Sequence, residues 1–376
     1  MIAMASFTDL VPPPGNPSID WPTIEQTFDW FRRLSDCPQD PVFHAEGDVG
    51  IHTRMVAEAL VADEAWRRCD AVSRASLFWA ALLHDVAKPD CTRLEPGGRV
   101  TSPGHSRRGQ IMARRILWRA AAPFRQREEI CHLITHHQMP LYLIERNKPE
   151  RRVHAVSLQT RCDLLSILAK ADVNGRRCDD PNRLLDNIEL FRALAREERC
   201  YAEPRRFASA HSRFLYFRKA DRAPHYEAYD DWTGHATLLS GMPASGKSTW
   251  LRAYAGDAEI ISLDDLRHEL EVEPDAPQGP VVAAARERAR AALRAGRPLI
   301  WNATNLSRAR RGPLVDLCAA YRTKVTIAYF ETTEAEAARR NAARESPVPA
   351  RALERMLDHW EAPDLTECHA LDVRLT

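Results

Sequence analysis

The chain has 376 residues, 44% of them hydrophobic, which is enough for two or three domains with buried cores and excludes a small stapled scaffold or a disordered tail. Lys plus Arg number 53 against 52 Asp plus Glu, so the formal net charge of +1 provides no global basic field for polyanions. Nine cysteines without a CxxC pair read as reduced, mostly buried thiols. The first 30 residues lack a basic start followed by an apolar run, and no stretch approaches 18 apolar residues, so a cytoplasmic protein without a membrane span is expected.

From about residue 22 to 200 apolar residues recur at helical spacing, as in Met55-Val56-Ala59-Leu60 and Leu164-Leu165-Leu168-Ala169, which predicts an all-α domain over 1–205. The aromatic, charged and proline-bearing stretch over 206–234 breaks this pattern and is expected to be a connector. Beyond it, ATLLSG, EIISLD, PLIWNAT and KVTIAYF alternate with helical segments, predicting an α/β domain with a parallel sheet over 235–376.

In the first half, ALLHDVAK delivers His84 and Asp85 at the end of an apolar helical turn, where an unpaired carboxylate is costly unless a cation compensates it. Imidazole and carboxylate together suit a transition metal. His52, His84-Asp85 and Asp172, in this order and at these gaps, resemble the HD phosphohydrolase superfamily. The segment CPQDPVFHAEGDVGIHTRMV is similar to the opening of the HD domain of bacterial CCA-adding tRNA nucleotidyltransferases. The resemblance implies that His52, His84, Asp85 and Asp172 ligate one metal, Asp85 bridging to a second. It also implies ligand positions at His105 and at His136, which the spacing to Pro140 favours over His137 and His132. Lys88 and Arg176 each follow a ligand by four residues and are expected to aim a cation at a substrate phosphate, against the reading of plain i,i+4 surface cations.

In the second half, ATLLSGMPASGKSTWL gives a strand, a loop with Gly241, Ser245, Gly246, Lys247, Ser248 and Thr249, and then a helix. This is the G-x-x-x-x-G-K-[ST] phosphate loop in its required context. Backbone N–H groups and the helix N-terminus would cradle phosphates, Lys247 would reach the β and γ oxygens, and Ser248 would hold Mg²⁺. ISLDDLRHEL resembles the general-base and acceptor motif of polynucleotide kinases, implying that Asp264 deprotonates a 5′-hydroxyl and Arg267 binds the acceptor phosphate. ARRNAARESPVP resembles the lid of the same kinases, implying donor-phosphate contacts from Arg340 and Arg344, with Arg344 stabilising transition-state charge. WNATN, carrying Asn302, Thr304 and Asn305, matches a strand-end loop of that family, although an aspartate often found there is absent.

An HD phosphoesterase upstream of such a kinase resembles the bacterial end-healing enzymes called HD-Pnk. The implied cofactors are Mn, Co, Ni, Cu or Zn in the first domain, and Mg with ATP or another NTP in the second. The implied partners are RNA or DNA strand ends, with a separate ligase to seal them. Two alternatives stand beside this: a small-nucleotide phosphohydrolase fused to a small-molecule kinase, or a P-loop that only senses NTP and gates the esterase.

Overall fold

The computed structural model describes residues 7–273 and 275–376. The chain divides into two compact units, the first ending at Arg206 and the second spanning Phe207–Thr376.

The first unit is a helical assembly around the helix Ala71–Leu83, in which every residue from Leu77 to Leu83 is at most 1% exposed. A helix that is apolar all round must be covered all round, and this one packs against Val49–Ala62, Phe124–His136 and Cys162–Asn174. Truncating Leu82 to Ala at this centre costs about 2–5 kcal/mol. Aspartates set the helix starts: Asp48 accepts from the Ile51 N–H at 2.8 Å, and Asp70 from the Ser73 N–H at 3.0 Å. A cap at Asp48 places His52 in the first turn of its helix, facing inward. Gly175, just after Cys162–Asn174, lies so close to that helix that a Cβ would sit 2.5 Å from the Val56 nitrogen. The missing side chain lets the Asp172 helix end approach the His52 helix start. The unit is not wholly helical, because β1 (Arg93–Leu94) and β2 (Val100–Thr101) form a short antiparallel hairpin around Gly97 and Gly98, both at positive φ.

In the second unit β3 (Gly234–Gly241), β4 (Glu259–Ser262), β5 (Leu299–Asn302), β6 (Thr323–Glu331) and β7 (Ala370–Leu375) form a parallel sheet in the order β4-β5-β3-β6-β7. β3 lies at the centre, so the loop that follows it opens between the carboxyl ends of its neighbours, where open α/β sheets bind ligands. The stretch over 206–234 is not a connector. Ser209 caps the helix Ala210–Arg218, Phe214 is buried with Val325 and Ile327, and Arg213 donates to the carbonyls of Leu365 and His369 at 3.1 and 2.6 Å. Phe214, one of the aromatic residues that suggested a linker by breaking the helical pattern, lies in the core of the α/β unit with Trp232 packed against it.

All nine cysteines are free, and six of them are buried. Among the described residues no helix is long and apolar enough to cross a membrane.

Candidate active sites: a histidine and carboxylate cage and a phosphate loop

Helix ends build the first site. His84 and Asp85 follow the end of Ala71–Leu83, His105 opens His105–Arg119, His137 follows Phe124–His136, and Asp172 lies in the last turn of Cys162–Asn174. His52, His84 and Asp172 bring ligand atoms within 4.8 Å of one another, as do Asp85, His105 and His137, and all six residues are buried. His52 Nε2 lies 3.2 Å from Asp172 Oδ1 and 3.3 Å from His84 Nε2. Asp85 joins the two groups, with Oδ2 3.2 Å from His84 Nε2 and Oδ1 3.4 and 3.9 Å from the Nε2 atoms of His105 and His137.

Three of the rings have a fixed tautomer. The Nδ1 atoms of His84, His105 and His137 lie 2.7, 2.8 and 2.7 Å from the carbonyls of Ala81, Ser102 and Ile134, in each case three residues upstream. A carbonyl only accepts, so each Nδ1 donates and each Nε2 faces the carboxylates, where the neutral ring offers its lone pair to a cation. Asp85 Oδ1 is buried without a hydrogen-bond donor. Converging lone pairs and acceptor oxygens call for cations, and neutral imidazole with carboxylate suits a transition metal. The residues therefore fit the divalent ions that HD domains bind.

Burial alone would raise both carboxylates, yet Lys88 and His84 hold Asp85, and Arg176 and His52 hold Asp172, well below the usual range. Burial, with His84 beside it, drops His137 to about 3, so it stays neutral and available as a ligand. His52 is raised, because Asp172 and Glu46 outweigh its burial.

One expectation is corrected here. His137, not His136, faces Asp85, whereas His136 Nε2 sits 2.7 Å from Gln159 Oε1 on another side of the helix. Successive helical residues differ by about 100° in direction, so only one of the pair can face the cage. Lys88 and Arg176 are not plain surface cations but lie against the cage carboxylates. Lys88 Nζ lies 2.7 Å from Asp85 Oδ2 and donates to Gln39 at 2.6 Å, and Arg176 Nη2 lies 2.6 Å from Asp172 Oδ2. Sequence reasoning also missed Glu46, whose buried carboxylate lies 2.8 Å from His52 Nδ1.

The second site forms at the carboxyl end of β3. Gly241 and Gly246 have φ of +147° and +100°, a region that disfavours side chains, and a Cβ on Gly241 would meet the Phe330 carbonyl at 2.3 Å. Asn305, itself at positive φ, braces the loop by donating to the Leu239 carbonyl at 2.7 Å, and the Gly241 N–H donates to Thr304. Lys247 Nζ donates to the carbonyls of Gly241 and Met242 at 2.8 and 2.7 Å, and Ser248 and Thr249 are exposed at the helix start. Ser245 Oγ is buried without a partner. Burial, with the Arg344 charge nearby, lowers Lys247 to about 7. Arg340 bonds Glu336 and reaches Thr376 Oγ1 at 3.0 Å, while Arg344 is exposed and donates to the Ser346 carbonyl. Asp264, just past β4, has a side chain 72% exposed and forms an ion pair with Arg267. Asn302 ends β5.

Residues 49–172 match the HD domain family, and residues 237–363 match an AAA domain family. The chain joins an HD phosphohydrolase domain to a P-loop kinase-like domain. It is 38% identical over 107 residues to the Multifunctional CCA protein of Halorhodospira halophila (strain DSM 244 / SL1), a match covering 28% of this chain and 23% of that relative's length. Among solved structures, a sugar kinase from Janibacter sp. HTCC2649 is similar at 20% identity and a TM-score of 0.31, over 38% of this chain and 85% of that one. A gluconokinase from Sinorhizobium meliloti 1021 is similar at 21% identity and a TM-score of 0.29, over 38% and 83%.

Proposed function

We propose that this protein heals broken nucleic-acid ends in the cytoplasm. The HD domain removes a 2′,3′-cyclic phosphate or a 2′-phosphate, and the P-loop domain phosphorylates the 5′-hydroxyl of the other end with an NTP. The observation that carries the reading is the union, on one chain, of a histidine and carboxylate cage with a phosphate loop that is followed by Asp264, Arg267 and two lid arginines. RNA or DNA strand ends are the partners, and a separate ligase seals what this protein prepares.

In the HD domain His52, His84 and Asp172 would hold one ion, and His105, His137 and the shared Asp85 a second. Such ions supply Lewis acidity, which activates water at neutral pH and neutralises charge on phosphate oxygens. Lys88 and Arg176 balance the two carboxylates, so the site without metal does not carry two buried unpaired charges. Once ions take up that negative charge, the same two cations are free to favour a phosphate beside them.

In the kinase domain Asp264 accepts the proton of the 5′-hydroxyl as its oxygen bonds to the γ-phosphorus and the bond to the bridging β–γ oxygen breaks. Lys247, Arg340 and Arg344 stabilise the charge on the phosphoryl oxygens and the departing diphosphate. Arg267, beside Asp264, orients the carboxylate and meets the phosphate of the acceptor strand. Ser248 and Thr249 at the helix start serve Mg²⁺ and the donor phosphates. A base and a lid arginine exceed what NTP sensing requires.

The test is incubation with γ-labelled ATP, Mg²⁺ and a 5′-hydroxyl oligonucleotide. Label on the oligonucleotide supports the reading, and label released only as inorganic phosphate contradicts it.

A further inference from the structure

Glu46 lies outside both groups of cage ligands, yet its side chain is wholly buried. Its Oε1 accepts from His52 Nδ1 at 2.8 Å and from His44 Nδ1 at 2.9 Å, and its Oε2 accepts from the Arg177 N–H at 2.8 Å. The Ala45 N–H donates to the Arg177 carbonyl at 2.8 Å, so the 44–46 loop and residue 177 are tied by backbone as well as by side chain. Arg176, one residue earlier, holds Asp172. One short segment, 175–177, thus frames both of the first group's ligands that come from outside the central helix.

We propose that Glu46 is a positioning residue that fixes the His52 imidazole and strengthens it as a metal ligand. This rests on the metal-dependent reading of the HD domain. The His84, His105 and His137 rings donate Nδ1–H to neutral backbone carbonyls. His52 has a carbonyl within reach as well, that of Gly175 at 3.2 Å, but the Glu46 carboxylate is nearer and charged. A charged acceptor at Nδ1 does two things. It commits the proton to Nδ1, which leaves the Nε2 lone pair facing His84 and Asp172, and it pushes electron density onto the ring, making Nε2 a better donor to a cation. Its two oxygens accept from His44, His52 and the Arg177 N–H, a set of three donors that suits an ionised carboxylate. Among the four cage histidines, only His52 has a carboxylate on its Nδ1. The ion held by His52, His84 and Asp172 should accordingly be bound more tightly than the one held by Asp85, His105 and His137.

The experiment is a Co²⁺ titration of the full chain stripped by a chelator, with affinity read by competition against a chelator of known strength and occupancy read by visible absorption. Glu46→Gln preserves shape and an accepting oxygen but removes the charge, and Glu46→Ala removes both. The tighter ion should lose about 10- to 100-fold in affinity in the Gln variant, and at least as much in the Ala variant. The weaker ion should be unaffected, and the melting temperature of the metal-free Gln variant should stay close to that of the unsubstituted protein. Where the Ala variant does not fold, the Gln variant decides. Equal Co²⁺ affinity in the Gln variant and the unsubstituted protein overturns the proposal. Failure of the unsubstituted protein to bind Co²⁺ overturns the metal reading and this inference with it. Intact binding with no removal of phosphate ends overturns only the end-healing assignment.

Discussion

His52 and His84 face each other Nε2 to Nε2 at 3.3 Å inside the first unit. Because His84 commits one proton to the Ala81 carbonyl and His52 one to Glu46, the contact between their Nε2 atoms needs a further proton on one of the rings or a shared cation. Nearby Asp172 and Glu46 favour the protonated ring in the metal-free protein. An ion that binds here therefore displaces a proton, as metal sites generally do.

The orientation of the His136-His137 pair gives a direct contrast. His137→Ala should abolish phosphoesterase activity and remove one ion, since its Nε2 lies 3.9 Å from Asp85 Oδ1. His136→Ala, which loses a bond to Gln159, should retain activity within a few-fold. Comparison of the two variants by metal analysis and esterase assay checks this, and the reverse ranking would refute the geometry.

Gly175→Ala should be nearly as damaging without touching a ligand. Its Cβ would meet the Val56 backbone at 2.5 Å, forcing apart the helices that carry Asp172 and His52. Overpacking of this kind costs about 1–3 kcal/mol of stability. Metal affinity, measured on folded protein, should fall with it, and unchanged affinity would show that the helix spacing does not set the site.

In the kinase, Asp264→Asn keeps size and removes the base. Turnover with a 5′-hydroxyl strand should drop by about 10²- to 10⁴-fold while ATP still binds. An unchanged kcat removes Asp264 from that role.

Lys247 gives the kinase a pH signature. At about 7, its ammonium is largely uncharged at pH 8 in the free protein and mostly charged at pH 6. A bound triphosphate favours the charged form, so ATP binding should take up a proton at pH 8 and much less at pH 6, and affinity should weaken as pH rises from 6 to 9. Calorimetry in buffers of different ionisation enthalpy measures the uptake, which Lys247→Arg should abolish because arginine is charged throughout.

Much of this was legible from residue order. The phosphate loop is a local code, since the glycines at positive φ, the lysine and the helix start lie within nine residues, and the structure places them as their spacing implies. His52, His84, Asp85, His105 and Asp172 were singled out by the resemblance of their order and gaps to the HD superfamily, and the helix ends bring their side chains together. Which of two adjacent histidines turns inward was not legible, because it depends on where Phe124–His136 stops and how it packs on Ala71–Leu83. Phe214 and its neighbours looked like a linker because their burial partners, Val325 and Ile327, lie more than 100 positions away. Glu46 sat unremarked in HAEGDVGIH, as nothing in the spacing shows that its carboxylate turns back to His52.

The central claim is that one chain carries two phosphate chemistries at two sites with different metal demands. Nitrogen-rich cage ligands favour Mn²⁺, Co²⁺, Ni²⁺, Cu²⁺ or Zn²⁺, whereas the phosphate loop offers hydroxyl and phosphate oxygens suited to Mg²⁺. The most direct measurement strips the protein with a chelator, restores Mg²⁺ alone, and assays 5′-phosphorylation and 2′,3′-cyclic phosphate hydrolysis on the same preparation. Phosphorylation should return while hydrolysis stays weak until Mn²⁺, Co²⁺ or Ni²⁺ is added, and Asp85→Ala should then lose only hydrolysis and Lys247→Ala only phosphorylation. Full hydrolysis in Mg²⁺ freed of transition metals, or loss of both activities in either folded variant, would contradict the account.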